Sequence, residues 1–131
     1  MKKVILIILF SLFIITSCQG KDILKEVEKE MYETITPEEA KRIMDSEEVI
    51  ILDVREKDEY DAGHIKGAIL IPYTEIATKA SKMIPDKNAK ILVYCRSGRR
   101  SKIASEQLIL IGYTNIFEFG GIIDWPYEIE K

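Results

Sequence analysis

Two short apolar runs constrain this chain more than anything else in it. Val49-Ile50-Ile51-Leu52 and Ile91-Leu92-Val93-Tyr94 are uninterrupted, and rich in β-branched and aromatic residues. Unbroken runs of this length read as strands buried on both faces, the environment of a parallel sheet covered by helices on each side. Helical patterns alternate with the strands. Thr36-Pro37-Glu38-Glu39 is a helix start, with a threonine cap, proline at the first position and a glutamate to complete a capping box. That helix turns Ala40, Ile43 and Met44 inward and ends near Ser46. A short charged helix including Tyr60 follows Asp53-Val54-Arg55. Ala68-Ile69-Leu70-Ile71 is a further strand stopping at Pro72, and Tyr73 to Met83 is helical. Gly112 caps the helix that starts near Arg100-Ser101, Asn115 to Phe119 is the last strand, and Gly120-Gly121 is a turn. Such alternation predicts an α/β sandwich with a mainly parallel central sheet. The chain's 131 residues suffice for one such domain.

In open parallel sheets, sites gather at the carboxyl ends of the strands. Asp53-Val54-Arg55 and Cys95-Arg96-Ser97-Gly98-Arg99-Arg100-Ser101 both stand at such ends. The second stretch joins a strand to a helix that turns Ile103, Ala104, Leu108 and Ile111 to one face. A loop in that position directs backbone N–H groups inward and sits at the positive end of the helix dipole, so it can cradle an anion. A cysteine at its mouth is readily deprotonated. Three arginines, Arg96, Arg99 and Arg100, crowd a helix start where cations are electrostatically misplaced, which suggests that they hold an anion. The local chemistry is that of a nucleophilic cysteine carrying negative charge. His64, the only histidine, is read as tying a turn at Gly63 to Ala68, since a thiolate formed in advance needs no general base.

The amino terminus carries a separate signal. Met1-Lys2-Lys3 precedes an apolar run from Val4 to Ile15, broken only by Ser11. This is shorter than the roughly 20 residues of a spanning helix and suits the core of a secretory signal. Ile15-Thr16-Ser17-Cys18 resembles the lipobox of bacterial lipoproteins. That resemblance implies residues 1–17 as a signal peptide cleaved before Cys18, lipid on the Cys18 sulfur, and an exported protein anchored in the cell envelope. An uncleaved anchor, or ordinary cleavage near Gly20, are the rivals. With Cys18 lipidated, Cys95 is the only remaining thiol and no internal disulfide can form. Residues 18–33 are a tether or an amphipathic helix with Ile23, Leu24, Val27 and Met31 at helical spacing, and 34–131 form the domain. A formal net charge of -3 argues against nucleic acid as a partner. One histidine and two cysteines are too few for a structural zinc site, and no cofactor is implied.

Taken together, Leu52-Asp53-Val54-Arg55, Tyr60, Gly63-His64-Ile65-Lys66-Gly67-Ala68, Ile71-Pro72, Tyr94 to Ser101, and Gly120-Gly121 with Trp125 resemble a single-domain rhodanese, in that family's order. The resemblance implies the rhodanese-like three-layer sandwich and sulfurtransferase chemistry. It makes Cys95 the sulfur carrier, through a persulfide, with Arg96, Ser97, Gly98, Arg99 and Arg100 forming its loop and Arg100 closing it. The substrates implied are a small anionic sulfur donor such as thiosulfate and a cyanide or thiol acceptor. Asp53 and Arg55 are expected to brace the sheet edge, with Arg55 also a candidate donor contact. Rhodanese-fold phosphatases resemble this pattern with one more residue in the loop; here four residues separate Cys95 from Arg100, a ring tight for tetrahedral phosphate. A thioredoxin-like site would need a second cysteine where Gly98 stands. A sulfur carrier or interaction module fed by a protein partner fits the same residues.

Overall fold

The computed structural model describes residues 31–131. The expected signal peptide, Cys18 and most of the expected tether lie outside these residues. Strands are β1 (Glu33–Thr34), β2 (Ile50–Asp53), β3 (His64–Ile65), β4 (Ile69–Leu70), β5 (Ile91–Cys95), β6 (Ile116–Gly121) and β7 (Ile129–Glu130). Helices are α1 (Pro37–Ser46), α2 (Lys57–Ala62), α3 (Ile76–Met83) and α4 (Arg99–Leu110), with 3₁₀ turns at Tyr73–Glu75 and Ile122–Asp124. Five strands form one parallel sheet in the order β1-β6-β5-β2-β4. Among the described residues no helix is long and apolar enough to cross a membrane.

The central strand shows why the apolar runs demand this architecture. Ile91, Val93 and Cys95 of β5 face the α3 and α4 layer, together with Ala80, Ala104 and Leu108. Leu92 and Tyr94 face the other layer, with Ala40 and Phe119 and the half-buried Ile43 and Met44 of α1. Every residue of β5 is buried, so both faces must be apolar. Fully burying one such side chain as Leu92 contributes about 1.5–3 kcal/mol.

The helix ends follow local chemistry. Thr36 Oγ1 accepts from the Glu39 N–H at 3.1 Å, and Glu39 Oε2 accepts from the Thr36 N–H at 3.1 Å, the reciprocal bonds of the capping box. Gly112, at φ +105, ends α4 in the left-handed conformation that its lack of a Cβ permits.

Four expectations need correction. His64–Ile65 is not merely a turn but a strand, β3, paired antiparallel with β7 in a second, two-stranded sheet. Asn115 to Phe119 is therefore not the last strand. Gly120 and Gly121 lie inside the end of β6, because Gly121 still pairs with Cys95 after a bulge at Val93/Cys95. The main sheet also begins at Glu33, which pairs with Phe117, so the last residue of the expected tether is part of the sheet.

Candidate active site

Cys95 is the last residue of β5, 1% exposed. The chain then passes over Arg96 and Ser97, both exposed, to Gly98, which stands at φ +109 before the first turn of α4. This left-handed position turns the Gly98 N–H back onto the Cys95 Sγ, at 3.0 Å. Helical periodicity completes the cradle from below. The buried face of α4 carries Ser101, Ala104, Ser105 and Leu108, a spacing that places Ser101 under the loop as part of the apolar stripe. Its Oγ lies 3.5 Å from Cys95 Sγ.

These groups decide the charge of the thiol. Burial opposes ionisation, but the Ser101 hydroxyl and the N–H groups of Ser101, Gly98 and Ser97 favour the thiolate and together hold the Cys95 thiol below its ordinary value. The loop rests on β6. A Cβ on Gly121 would stand 1.8 Å from the Arg96 carbonyl oxygen, so only glycine lets the strand approach the loop this closely. The Ile123 N–H donates to that same oxygen at 3.3 Å.

Of the loop arginines, Arg96 and Arg99 are exposed. Arg100, expected to close the loop, is paired with a carboxylate. Its guanidinium forms a two-pronged pair with Glu59 of α2, Nη1 to Oε2 at 2.7 Å and Nη2 to Oε1 at 2.8 Å, a planar match that a single carboxylate satisfies fully. The paired guanidinium pulls the Glu59 carboxyl down to about 2, with the Glu56 N–H adding to the effect and partial burial opposing it.

Arg55 is likewise committed elsewhere. It is 5% exposed; its Nη2 donates to Asp53 Oδ2 and to the Gly63 carbonyl, each at 2.7 Å. The Tyr94 hydroxyl donates to Asp53 Oδ2 at 2.7 Å and accepts from the Ile65 N–H at 3.0 Å. These bonds are the bracing expected of Asp53 and Arg55, and burial fixes the Nε and Nη2 donors on partners a charge cannot do without. His64 belongs to the same brace. Its ring stacks on Tyr60 at 3.7 Å, Nδ1 meets the Tyr60 carbonyl at 2.9 Å, and Nε2 lies 3.3 Å from Glu130.

Sequence reasoning missed three contributors. Glu59 gave one signal, a carboxylate three residues after Glu56 in the first turn of a helix. Ser101 closes the loop sequence, where a serine at a helix start carries no signal of a role beside the cysteine. Glu118 is a lone carboxylate in the apolar strand Ile116-Phe117-Glu118-Phe119; it is fully buried, and its Oε1 accepts from the Ser101 hydroxyl at 2.6 Å.

Fold and site together define a class: a parallel α/β sandwich holding a cysteine in a loop of backbone N–H groups that favour its anion, at a helix start. The model of the Rhodanese-like domain family matches residues 36–126, and the chain belongs to that family. It is 41% identical over 73 residues to the thiosulfate sulfurtransferase PspE of Escherichia coli, covering 56% of this chain and 70% of that protein. It is 29% identical over 96 residues to the thiosulfate sulfurtransferase GlpE of Coxiella burnetii, covering 72% and 88%. Among solved structures, a rhodanese with anions from E. coli superposes with a TM-score of 0.60 at 37% identity, covering 64% of this chain and 99% of that one.

Proposed function

We propose that this rhodanese-like protein is a sulfurtransferase that moves a sulfane sulfur from a small anionic donor to a thiophilic acceptor through a persulfide on Cys95. One observation carries the reading: a cysteine held below its ordinary ionisation by N–H groups that converge on the sulfur. The thiolate attacks the outer sulfur of thiosulfate, the donor's S–S bond breaks, and sulfite leaves with the bonding pair. The outer sulfur of the persulfide then bears the charge, within reach of the loop N–H groups and the α4 dipole. Cyanide or a thiol attacks that sulfur, takes it away, and restores the thiolate. Two successive displacements at one sulfur give ping-pong kinetics. Arg96 and Arg99, exposed beside the loop, draw the donor anion towards it. In the same reading Cys18 bears a lipid that holds the domain at the cell envelope, supported by the lipobox-like Ile15-Thr16-Ser17-Cys18.

The test uses the full chain carrying Cys18→Ala, so that Cys95 is the only thiol, beside the same chain with Cys95→Ser. Incubation with thiosulfate is expected to add the mass of one sulfur to the first alone, and cyanide to remove it as thiocyanate. A folded, reduced protein that takes no sulfur from thiosulfate or other small sulfane donors overturns the small-donor reading in favour of a carrier fed by a protein partner.

A further inference from the structure

Glu118 has no ordinary reason to be where it is. It is fully buried, and among the described residues it has no ion-pair partner within 4.0 Å, a costly state for a carboxylate held away from water. What it does have is a line of polar atoms leading to the reactive sulfur. Oε1 accepts from the Gly120 N–H at 2.8 Å and lies 2.6 Å from Ser101 Oγ, while Oε2 meets the Thr34 hydroxyl at 3.5 Å. Ser101 Oγ in turn lies 3.5 Å from Cys95 Sγ.

Proton counting makes this line informative. Ser101 has a single hydroxyl proton, yet its Oγ stands near four groups: Cys95 Sγ, Glu118 Oε1, the Gly98 carbonyl at 2.9 Å and the Gly120 carbonyl at 3.4 Å. With Cys95 as a thiol, the S–H donates to Ser101 and the serine proton serves Glu118. With Cys95 as an anion, the sulfur needs the serine proton for itself, and an ionised Glu118 would then face the serine oxygen's lone pairs at 2.6 Å.

We propose that Cys95 and Glu118 share one negative charge through the Ser101 hydroxyl, Glu118 taking a proton whenever the sulfur is anionic. The step is a double shift: the S–H bond breaks as a proton forms a bond to Ser101 Oγ, and the original Oγ–H proton passes to Glu118 Oε1. Charge moves from carboxylate to sulfur, the serine stays neutral, and nothing is oxidised or reduced. Glu118 is thus a positioning residue acting through Ser101. It spares the buried pair a second negative charge and leaves the serine free to donate to thiolate or persulfide. The groups facing it are Cys95 from β5, Ser101 from α4 and Thr34 from β1. On those elements Glu33, Arg99, Lys102 and Glu106 are exposed and Arg100 is held by Glu59, while the charged side chains of α1 lie across the sheet. The inference rests on Cys95 being an anionic nucleophile, but its test needs no sulfur donor, so it stands or falls apart from sulfur transfer.

The test compares infrared spectra of the full chain carrying Cys18→Ala in two states at one pH. One is the free protein at a pH where ultraviolet absorbance shows the thiolate; the other is Cys95 blocked as a neutral methyl disulfide. A buried carboxylic-acid band is expected with the thiolate and its loss on blocking. In the Glu118→Gln chain the band is expected to be absent throughout, and in Ser101→Ala blocking is expected no longer to switch it. The proposal is overturned by a band that ignores blocking, by no band in either state, by a band surviving Glu118→Gln, or by switching that survives Ser101→Ala. If Glu118→Gln does not fold, the unsubstituted and Ser101→Ala spectra still decide.

Discussion

At the scale of single residues, the loop works because a few positions admit only one kind of atom. Gly121 touches the Arg96 carbonyl so closely that even a methyl group has no room. Its φ of -143 is open to any residue, so the constraint is contact with backbone, not conformational freedom. Gly121→Ala is expected to cost about 1–3 kcal/mol or more in denaturant unfolding, and to lower persulfide yield because the loop must shift. For Cys95 the sign follows from an anion stabilised in the fold. The rate of alkylation by iodoacetamide should rise through a pH below the ordinary cysteine range of about 8.5. Ser101→Ala removes the side-chain donor and should move that midpoint upward.

At the scale of elements, α2 and α4 are locked at their ends. Glu59 accepts from the Glu56 N–H at 2.9 Å and holds both prongs of Arg100, so the start of one helix anchors the start of the other beside the cysteine. The Glu59 carboxyl sits at about 2 in the fold, below its ordinary value of about 4.3. A depressed carboxyl stabilises the fold above the unfolded value, and that contribution disappears as pH falls towards the folded one. Wild type should therefore melt above Glu59→Gln by a steady margin from neutral pH to about pH 5, and the margin should shrink on further acidification. Thermal unfolding of the two proteins across this range is the check. The same substitution frees Arg100, so the salt dependence of thiosulfate turnover measures whether the released guanidinium then reaches the donor.

At the scale of the whole molecule, the proposed anchor and the described domain make separable demands. If Cys18 carries lipid, Cys18→Ala should release the protein from the membrane fraction into the soluble one while sulfur uptake at Cys95 persists in the assay above. An unlipidated chain that fractionates identically with and without the substitution would remove the anchor from the account. Much of the domain was legible beforehand. The apolar runs that became β2 and β5, the Thr36 capping box, the Gly112 end of α4 and the cysteine loop all depend on neighbours in the chain, and local periodicity and turn chemistry record such dependence. The pairing of β3 with β7 left no comparable trace, since two-residue strands carry no period. Nor did the partners of the site: Arg100 meets Glu59 across 41 residues, Tyr94 meets Asp53 across 41, and Ser101 meets Glu118 across 17. The sequence by itself determined a parallel α/β sandwich with a cysteine loop at one strand's end. Only the tertiary structure decided which carboxylate holds Arg100 and which lies behind the sulfur, because a parallel sheet gathers the ends of strands far apart in the chain, and hydrogen bonds between them obey geometry that no local pattern encodes.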